Sequence, residues 1–261
     1  MQRNRTLITT ALISRTLGFV VVLLASACNS GEKAGIAKAS TSSGTSAKST
    51  QGNTSAATGQ TASATPSSAR IVILGTSLTA GLGLDPSEAY PALLQQLADS
   101  AKFNVTIVNA GLSGETSAGA LRRSTWVLDQ PAAAVVLEVG ANDGLRGVNP
   151  DSTRANIEAL VDVIHNKYPS ARVVLVQMEA PPNFGRDYTT RFHNAYAGVA
   201  KAKKIALLPF LLDSVAGIAS LNQGDGIHPN KKGSAIVARN LFRSLTPLFV
   251  ALSSASSAPT N

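Results

Sequence analysis

Three residue types that together perform nucleophilic catalysis occur in two loops of this chain. Ser77 lies in the sequence Gly-Thr-Ser-Leu, and Asp225 lies three residues before His228 in Asp-Gly-Ile-His-Pro. A serine hydroxyl becomes an effective nucleophile when a base removes its proton, and a neutral imidazole suits that role at neutral pH. A carboxylate at this spacing can turn back onto Nδ1 of the imidazole and leave Nε2 free for the serine. The pattern predicts Ser77, Asp225 and His228 as catalytic residues.

An amide side chain adds a fourth candidate. Asn142 lies in Gly-Ala-Asn-Asp, directly after a predicted strand. Its amide could donate a hydrogen bond to an oxyanion that develops during acyl transfer. It could also simply cap the turn after the strand, although Asp143 is the better candidate for that structural role. The residue types alone leave both roles open for Asn142.

Four ordered blocks of sequence carry a family resemblance. They read Ile-Leu-Gly-Thr-Ser-Leu-Thr-Ala-Gly at 73–81, Val-Asn-Ala-Gly-Leu-Ser-Gly-Glu-Thr-Ser at 108–117, Glu-Val-Gly-Ala-Asn-Asp-Gly-Leu-Arg-Gly at 138–147 and Asp-Gly-Ile-His-Pro-Asn at 225–230. On these blocks the region 70–249 resembles the SGNH hydrolases of the GDSL type, most closely the bacterial thioesterase I, lysophospholipase L1 and arylesterase branch. The resemblance implies hydrolysis of acyl esters through an acyl-serine intermediate, with no metal or cofactor.

The resemblance also assigns roles to single residues. It implies that Ser77 is the nucleophile, that His228 is the base, and that Asp225 orients the imidazole. It implies an oxyanion hole made by the backbone N–H groups of Ser77 and Gly114 and by the Asn142 amide. Gly111 competes for the glycine role, but matching Ser-Gly-Glu-Thr-Ser to the family pattern Ser-Gly-Asp-Thr-Ser selects Gly114.

One residue departs from the family pattern. Thr76 stands where Gly-Asp-Ser-Leu has an aspartate. In the family that aspartate supports the loop, and a threonine hydroxyl can accept a local backbone hydrogen bond instead. The other histidines, His165 and His193, fall within helical patterns beside polar residues and are interpreted as solvated surface.

The elements that must position these residues alternate along the chain. Five short apolar, β-branched runs predict strands that are buried on both faces, at 70–74, 105–108, 134–139, 172–177 and 205–209. Helical patterns lie between and after them, at 87–101, 117–128, 151–168 (with Asp151 as the cap), 188–204 and 231–251. This alternation predicts a five-stranded parallel sheet with helices on both faces. The resemblance implies that this is the three-layer α/β/α sandwich of the SGNH hydrolase fold, which is flavodoxin-like. Ligands of such sheets bind beyond the carboxyl ends of the strands, where all the candidate residues fall.

A further loop at that edge, 179–185, is rich in proline and glycine and contains one aromatic residue. Two interpretations stay open: a substrate flap, or a rigid connection.

The N-terminus predicts export. Arg3, Arg5 and Arg15 precede the apolar run Leu17–Leu24, and small residues lead to the sole cysteine, Cys28. Residues 1–27 are therefore predicted to be a signal peptide that directs the chain to the periplasm or cell envelope. The cysteine after the cleavage-like site predicts a lipidated anchor at Cys28, which would tie the protein to a membrane. The alternative is an ordinary signal peptide with an incidental cysteine.

The remaining segments differ sharply in composition. Residues 28–69 are dominated by Ser, Thr, Ala and Gly and are predicted to be a flexible tether. Residues 70–250 are predicted to be the hydrolase domain, and 251–261 a disordered tail. Without Arg3, Arg5 and Arg15, 20 basic and 15 acidic residues remain, so the formal net charge falls from +8 to +5. No basic stripe interleaved with aromatic residues indicates a nucleic-acid partner.

The sequence thus predicts an exported serine esterase whose partner is a small acyl-ester substrate. Two alternatives remain: a carbohydrate O-acetylesterase, and a non-catalytic lipoprotein that binds lipid or glycan in the same groove.

Overall fold

The computed structural model describes residues 68–256. These residues form one sheet, whose five strands are β1 (Ala69–Gly75), β2 (Val105–Gly111), β3 (Ala134–Glu138), β4 (Arg172–Gln177) and β5 (Ala206–Phe210). All neighbouring strands pair in parallel, in the order β2-β1-β3-β4-β5. The predicted five-stranded parallel sheet of flavodoxin-like order is confirmed.

Within the described residues, seven α-helices connect and cover the strands. They are α1 (Ser77–Ala80), α2 (Tyr90–Ser100), α3 (Ser117–Val127), α4 (Ala141–Leu145), α5 (Pro150–Lys167), α6 (Arg186–Lys203) and α7 (Lys231–Ser256). Helices α2 and α7 pack together on one side of the sheet, while α5 packs between α3 and α6 on the other. These are the three predicted layers.

Burial follows strand position. Every residue of β3 is buried, as are the last five residues of β1, because helices cover both faces of these central strands. The edge strands β2 and β5 are mostly only partly buried. The carboxyl ends of the central strands are therefore the rigid part of the frame that carries the site.

Helices α5 and α7 differ from their predicted bounds. Helix α5 begins at Pro150 and is capped by the side chain of Asn149, which accepts a hydrogen bond from the Asp151 N–H, so Asp151 is not the cap. Helix α7 continues to Ser256, so the first six residues of the predicted disordered tail are helical. The tail composition of Ala, Leu and Ser contains no Gly or Pro stop signal before that point.

Helix α7 is unusually long and apolar. Its segment Lys231–Ser254 is long and apolar enough to cross a membrane by length and composition. However, Leu241, Leu245 and Phe249 are buried against the rest of the domain. Helix α7 therefore buries one apolar face against the domain.

The predicted domain boundary at residue 70 is one residue late, because Ala69 already belongs to β1. The predicted signal peptide, Cys28 and the predicted tether up to residue 67 lie outside the described residues, as do residues 257–261.

Candidate active site

The structure brings the predicted residues together at the carboxyl edge of the sheet. Ser77 is the first residue of α1, directly after β1 and Thr76. Gly114 lies in the turn between β2 and α3, and Asn142 lies in α4 after β3. Asp225 and His228 lie in the loop before α7. Ser77, Gly114, Asn142 and His228 all line one cleft.

Three of these residues form a continuous hydrogen-bonded chain. His228 Nε2 lies 2.8 Å from Ser77 Oγ. His228 Nδ1 lies 2.6 Å from Asp225 Oδ2. Since an ionised carboxylate only accepts hydrogen bonds, Nδ1 carries the proton and Nε2 is left to accept the Ser77 hydroxyl. This is the arrangement in which a serine can lose its proton to histidine.

Asp225 is itself held by the backbone of its own loop. Its Oδ1 accepts hydrogen bonds from the N–H of Ile227 at 2.9 Å and from the N–H of His228 at 3.0 Å. Gly226 makes this tight loop possible, because its φ of +71° lies in the left-handed region. The N–H of His228, the His228 imidazole and the N–H of Ile227 lower the pKa of Asp225 to about 2, so the carboxyl is ionised at neutral pH.

Backbone and amide donors surround the serine. The N–H groups of Ser77 and Gly114 have no hydrogen-bond acceptor within residues 68–256. Asn142 Nδ2 donates to the Glu115 carbonyl at 3.0 Å, which fixes the amide while its second N–H stays unused. The three groups can therefore serve as donors to an oxyanion.

The structure separates the two competing glycines. Gly111 belongs to β2 and lies against the backbone of α1, where an added Cβ would be 2.2 Å from the Ala80 nitrogen. Gly114 has a φ of +80° and lines the cleft, with an added Cβ meeting only Arg146 Nη2 at 3.8 Å. Gly111 is thus required for close packing, and Gly114 is the one that borders Ser77's cleft.

Asp143 points into the domain and supports it. Its carboxylate accepts from the N–H of Ser117 at 2.7 Å, from the Ser117 hydroxyl and from Thr153 Oγ1 at 3.2 Å. Asp143 is buried and ties the start of α3 to α5. Its role is therefore wider than the predicted local turn support.

The cleft has a volume of about 570 Å³. Its lining is mainly apolar, with Leu78, Leu82, Leu145, Met178, Ala180, Pro181, Pro182, Phe210, Leu212, Ala216 and Ile227. Such a lining suits a hydrocarbon chain that ends at the serine.

The loop 179–185 forms one wall of this cleft through Glu179 to Pro182. Phe184 packs on Tyr188 with ring centroids 5.2 Å apart, and the Tyr188 hydroxyl donates to the Val148 carbonyl at 2.8 Å. These contacts favour the rigid connection over the flap.

Neither of the other histidines approaches Ser77. His165 is half-buried on α5, at the far side of the domain. His193 is exposed, but its Nδ1 lies 2.7 Å from Glu179 Oε1, so it is paired with a cleft residue and is not simply solvated. Nothing in the local sequence indicates this pairing, because 14 residues separate the two groups.

The comparisons with known proteins agree with this geometry. The model of the GDSL-like Lipase/Acylhydrolase family matches residues 73–236. Esterase TesA from Pseudomonas aeruginosa is 37% identical over 179 residues, which cover 68% of this chain and 88% of that protein. Thioesterase 1/protease 1/lysophospholipase L1 from Escherichia coli K12 is 36% identical over 179 residues, which cover 68% of this chain and 84% of that protein.

A solved structure extends the likeness to the fold. The psychrotrophic esterase EstA from Pseudoalteromonas sp., inhibited by monoethylphosphonate, is 34% identical with a TM-score of 0.66, and the match covers 69% of this chain and 98% of that one. The chain belongs to the GDSL-like lipase/acylhydrolase family and is a serine hydrolase that acts on carboxylic or thio ester bonds.

Proposed function

We propose that this protein is an exported, lipid-anchored esterase in which Ser77, His228 and Asp225 hydrolyse acyl esters. The observation that carries the proposal is the hydrogen-bonded chain from Asp225 through His228 to Ser77, which ends in an apolar cleft.

In the acylation step, Ser77 Oγ attacks the carbonyl carbon of the ester while His228 Nε2 takes the hydroxyl proton. The ionised Asp225 stabilises the imidazolium that forms. The carbonyl oxygen becomes an oxyanion that accepts from the N–H groups of Ser77 and Gly114 and from the Asn142 amide. Collapse of this intermediate breaks the bond to the leaving group, which receives the proton from His228 and departs, leaving an acyl-serine.

In the deacylation step, a water molecule takes the place of the leaving group. His228 Nε2 removes a proton from the water, whose oxygen attacks the acyl carbon. The second intermediate is held by the same three donors. As it collapses, the bond from the acyl carbon to Ser77 Oγ breaks, Ser77 Oγ takes the proton from His228, and the carboxylic acid leaves. No step calls on a metal or an organic cofactor.

The lining of the cleft supports an acyl-chain substrate. Leu82, Leu145, Met178, Phe210 and Ile227 offer hydrocarbon surface to a chain that extends from the ester carbonyl. A sugar site would need several polar side chains to bind hydroxyl groups, and here Glu179, Asn142 and the catalytic pair supply almost all of the polar lining. An aryl ester, an acyl thioester or a lysophospholipid therefore fits this cleft better than an acetylated polysaccharide.

The location of the protein is a separate part of the proposal. It depends on the basic and apolar residues before Cys28 and on the small residues that precede it. A diacylated Cys28 followed by some 40 residues rich in Ser, Thr, Ala and Gly would hold the domain within about 35 Å of a membrane surface on average.

A panel of substrates tests the proposed chemistry. The chain with Ser77→Ala is the control, and the panel contains p-nitrophenyl esters of two to twelve carbons, an acyl-CoA, a lysophospholipid and an acetylated xylan. We expect Ser77-dependent turnover of the acyl esters with a preference for chains longer than acetyl. Turnover confined to the acetylated sugar would replace this function by the O-acetylesterase, and no turnover of any ester would refute both.

A further inference from the structure

A buried carboxyl group lies directly beneath the turn that carries Ser77. Glu138 is the last residue of β3 and is fully buried. In the parallel pairing of β1 and β3, Glu138 is the partner of Gly75. Within residues 68–256 it forms no ion pair with Lys, Arg or His, and a buried carboxyl group is costly unless other donors satisfy it.

The hydrogen-bond donors to Glu138 come from Thr76 and Thr79, one residue before and two residues after Ser77. Glu138 Oε2 accepts from the N–H of Thr76 at 2.8 Å and from Thr79 Oγ1 at 2.7 Å. Glu138 Oε1 accepts from Thr76 Oγ1 at 3.0 Å. The single proton of the Thr79 hydroxyl goes to Glu138, so the Tyr90 hydroxyl, 2.6 Å away, donates to Thr79.

The carboxylate lies against Gly75. A Cβ on Gly75 would lie 2.6 Å from Glu138 Oε2 and 2.0 Å from Thr79 Oγ1. Gly75 therefore lacks a side chain because the carboxylate and Thr79 occupy its place. The local hydrogen bond from the Leu78 N–H to Thr76 Oγ1 is long, at 3.4 Å. Glu138 thus accepts from both the N–H and the hydroxyl of residue 76, the immediate neighbour of the nucleophile.

We infer that Glu138 is a positioning residue for Ser77: its ionised carboxylate holds Thr76 and Thr79, and so fixes the turn that presents Ser77 Oγ to His228 and the Ser77 N–H to the oxyanion. This inference rests on the proposed function, because it concerns the same nucleophile. Thr76, where the family pattern has an aspartate, supplies a donor to Glu138 instead of a second carboxyl group.

Glu138 gains or loses its proton near neutral pH. Burial raises its pKa to about 7, and the hydrogen bonds from Thr76 and Thr79 act in the opposite direction. The groups facing it are Tyr90 from α2 and Tyr196 from α6, whose own pKa values are raised well above 10 by burial, so both are neutral. Arg123 from α3 donates to the Gly75 carbonyl but pairs with Glu115.

Protonation of Glu138 would therefore change the charge beneath the turn near neutral pH. Both carboxylate oxygens accept hydrogen bonds here from Thr76 and Thr79, so a proton on either oxygen would weaken at least one of these bonds. The turn would lose hydrogen bonds, and the geometry of Ser77 would loosen.

The first test is Glu138→Gln in the full chain, assayed with p-nitrophenyl butyrate. We expect kcat to fall about 10- to 100-fold with little change in KM, because misplaced catalytic groups affect the transition state more than substrate binding. The pH profile of log kcat/KM should show an ionisation near pH 7 in the native protein, where Glu138 gains its proton and activity falls, and this ionisation should be absent in the variant. Equal kcat and identical pH profiles would overturn the inference.

A second pair of variants keeps the inference testable if Glu138→Gln does not fold. Thr79→Ser retains the hydroxyl that donates to Glu138, whereas Thr79→Val has a similar volume and lacks it. We expect Thr79→Ser to keep near-native kcat and Thr79→Val to lose most of it while thermal melting shows a folded domain. Equal activity of the two folded variants would overturn the inference.

Labelling with a fluorophosphonate separates this inference from the proposed function. If the native protein is not labelled at Ser77, the proposed nucleophile itself is wrong. If the native protein and the Glu138→Gln variant are labelled at Ser77 at the same rate, the nucleophile stands and the positioning role of Glu138 is refuted.

Discussion

His228 Nε2 and Ser77 Oγ lie 2.8 Å apart although 151 residues separate them in the chain. Two rigid connections produce this contact. Ser77 is fixed by the end of the buried strand β1, and His228 is fixed by Asp225 and by the antiparallel bridge between Asn222 and Pro229. The two halves of the candidate site are thus brought together by the sheet and by the loop before α7.

Asn142 is expected to act on the transition state. If its amide donates to the oxyanion, Asn142→Ala should lower kcat by about 10²–10³, or about 2.7–4 kcal/mol, with KM nearly unchanged. Steady-state kinetics with a soluble ester measures this. A kcat within about threefold of native would mean that backbone N–H groups alone hold the oxyanion.

Asp143 provides the matched comparison one residue later. Asp143→Ala should lower thermal stability, since it leaves the buried N–H of Ser117 without its acceptor, at a cost of about 1–3 kcal/mol. Denaturant unfolding of the two variants side by side separates the roles. A larger stability loss in Asn142→Ala than in Asp143→Ala would contradict the structural role given to Asp143.

The two glycines of the second block should respond differently to alanine. Gly111→Ala places a Cβ against the backbone of Ala80 and should destabilise the domain by about 1–3 kcal/mol or more. Gly114→Ala meets no close neighbour, and its left-handed φ costs roughly 1–2 kcal/mol. We expect Gly114→Ala to stay folded with a reduced kcat, because strain at residue 114 displaces its N–H. Unfolding curves together with kcat check this, and a Gly114→Ala enzyme of native kcat would remove Gly114 from the oxyanion hole.

Glu138 should make the folded state less stable as the pH rises. Its pKa is about 7 in the folded protein, above the value of 4.5 for the free side chain, so the folded state binds the proton more tightly. The contribution of this proton to the free energy of unfolding is fully present below about pH 4.5 and is lost as the pH rises through about 7. Glu138→Gln lacks this titration, so its melting temperature should gain on that of the native protein between pH 5 and pH 8. A constant difference across that range would contradict the assignment.

The anchor can be tested independently of catalysis. Cys28→Ser should release the protein from the membrane fraction, while specific activity stays native, because the cleft residues in the described part of the chain all lie between Ser77 and His228. Partitioning into Triton X-114 with and without the substitution measures this. Identical partitioning would leave an ordinary signal peptide as the explanation of the N-terminus.

The sequence predicts the central strands well because helices bury them on both faces, so each strand is a nearly continuous apolar run. Strands β1, β3 and β4 are apolar runs covered on both faces, and β4 has the predicted bounds, Arg172–Gln177. Helices α1 and α4 were not predicted, since five residues or fewer, with Gly144 among them, carry no helical periodicity. Helix α7 extends past its predicted end because residues 252–256 contain no Gly or Pro stop signal, and Leu252 is buried in the core.

Some residues of the candidate site could be predicted from the sequence and others could not. Ser77, Asn142 and His228 lie in recognisable blocks, so their proximity follows from the order of the strands. Glu138 ends an apolar strand as a single polar residue, and its partners Thr76 and Thr79 are 62 and 59 residues away, so only the three-dimensional pairing reveals its contacts. The shape of the cleft depends on several separate loops, which no local pattern specifies.

The most direct test of the central claim is to trap the nucleophile. The protein is incubated with a fluorophosphonate, digested, and analysed by mass spectrometry, with Ser77→Ala as the control. We predict a single phosphonylated residue, Ser77, stoichiometric loss of esterase activity, and no adduct in a folded Ser77→Ala variant. An adduct on a different serine, or esterase activity retained by Ser77→Ala, would contradict the account.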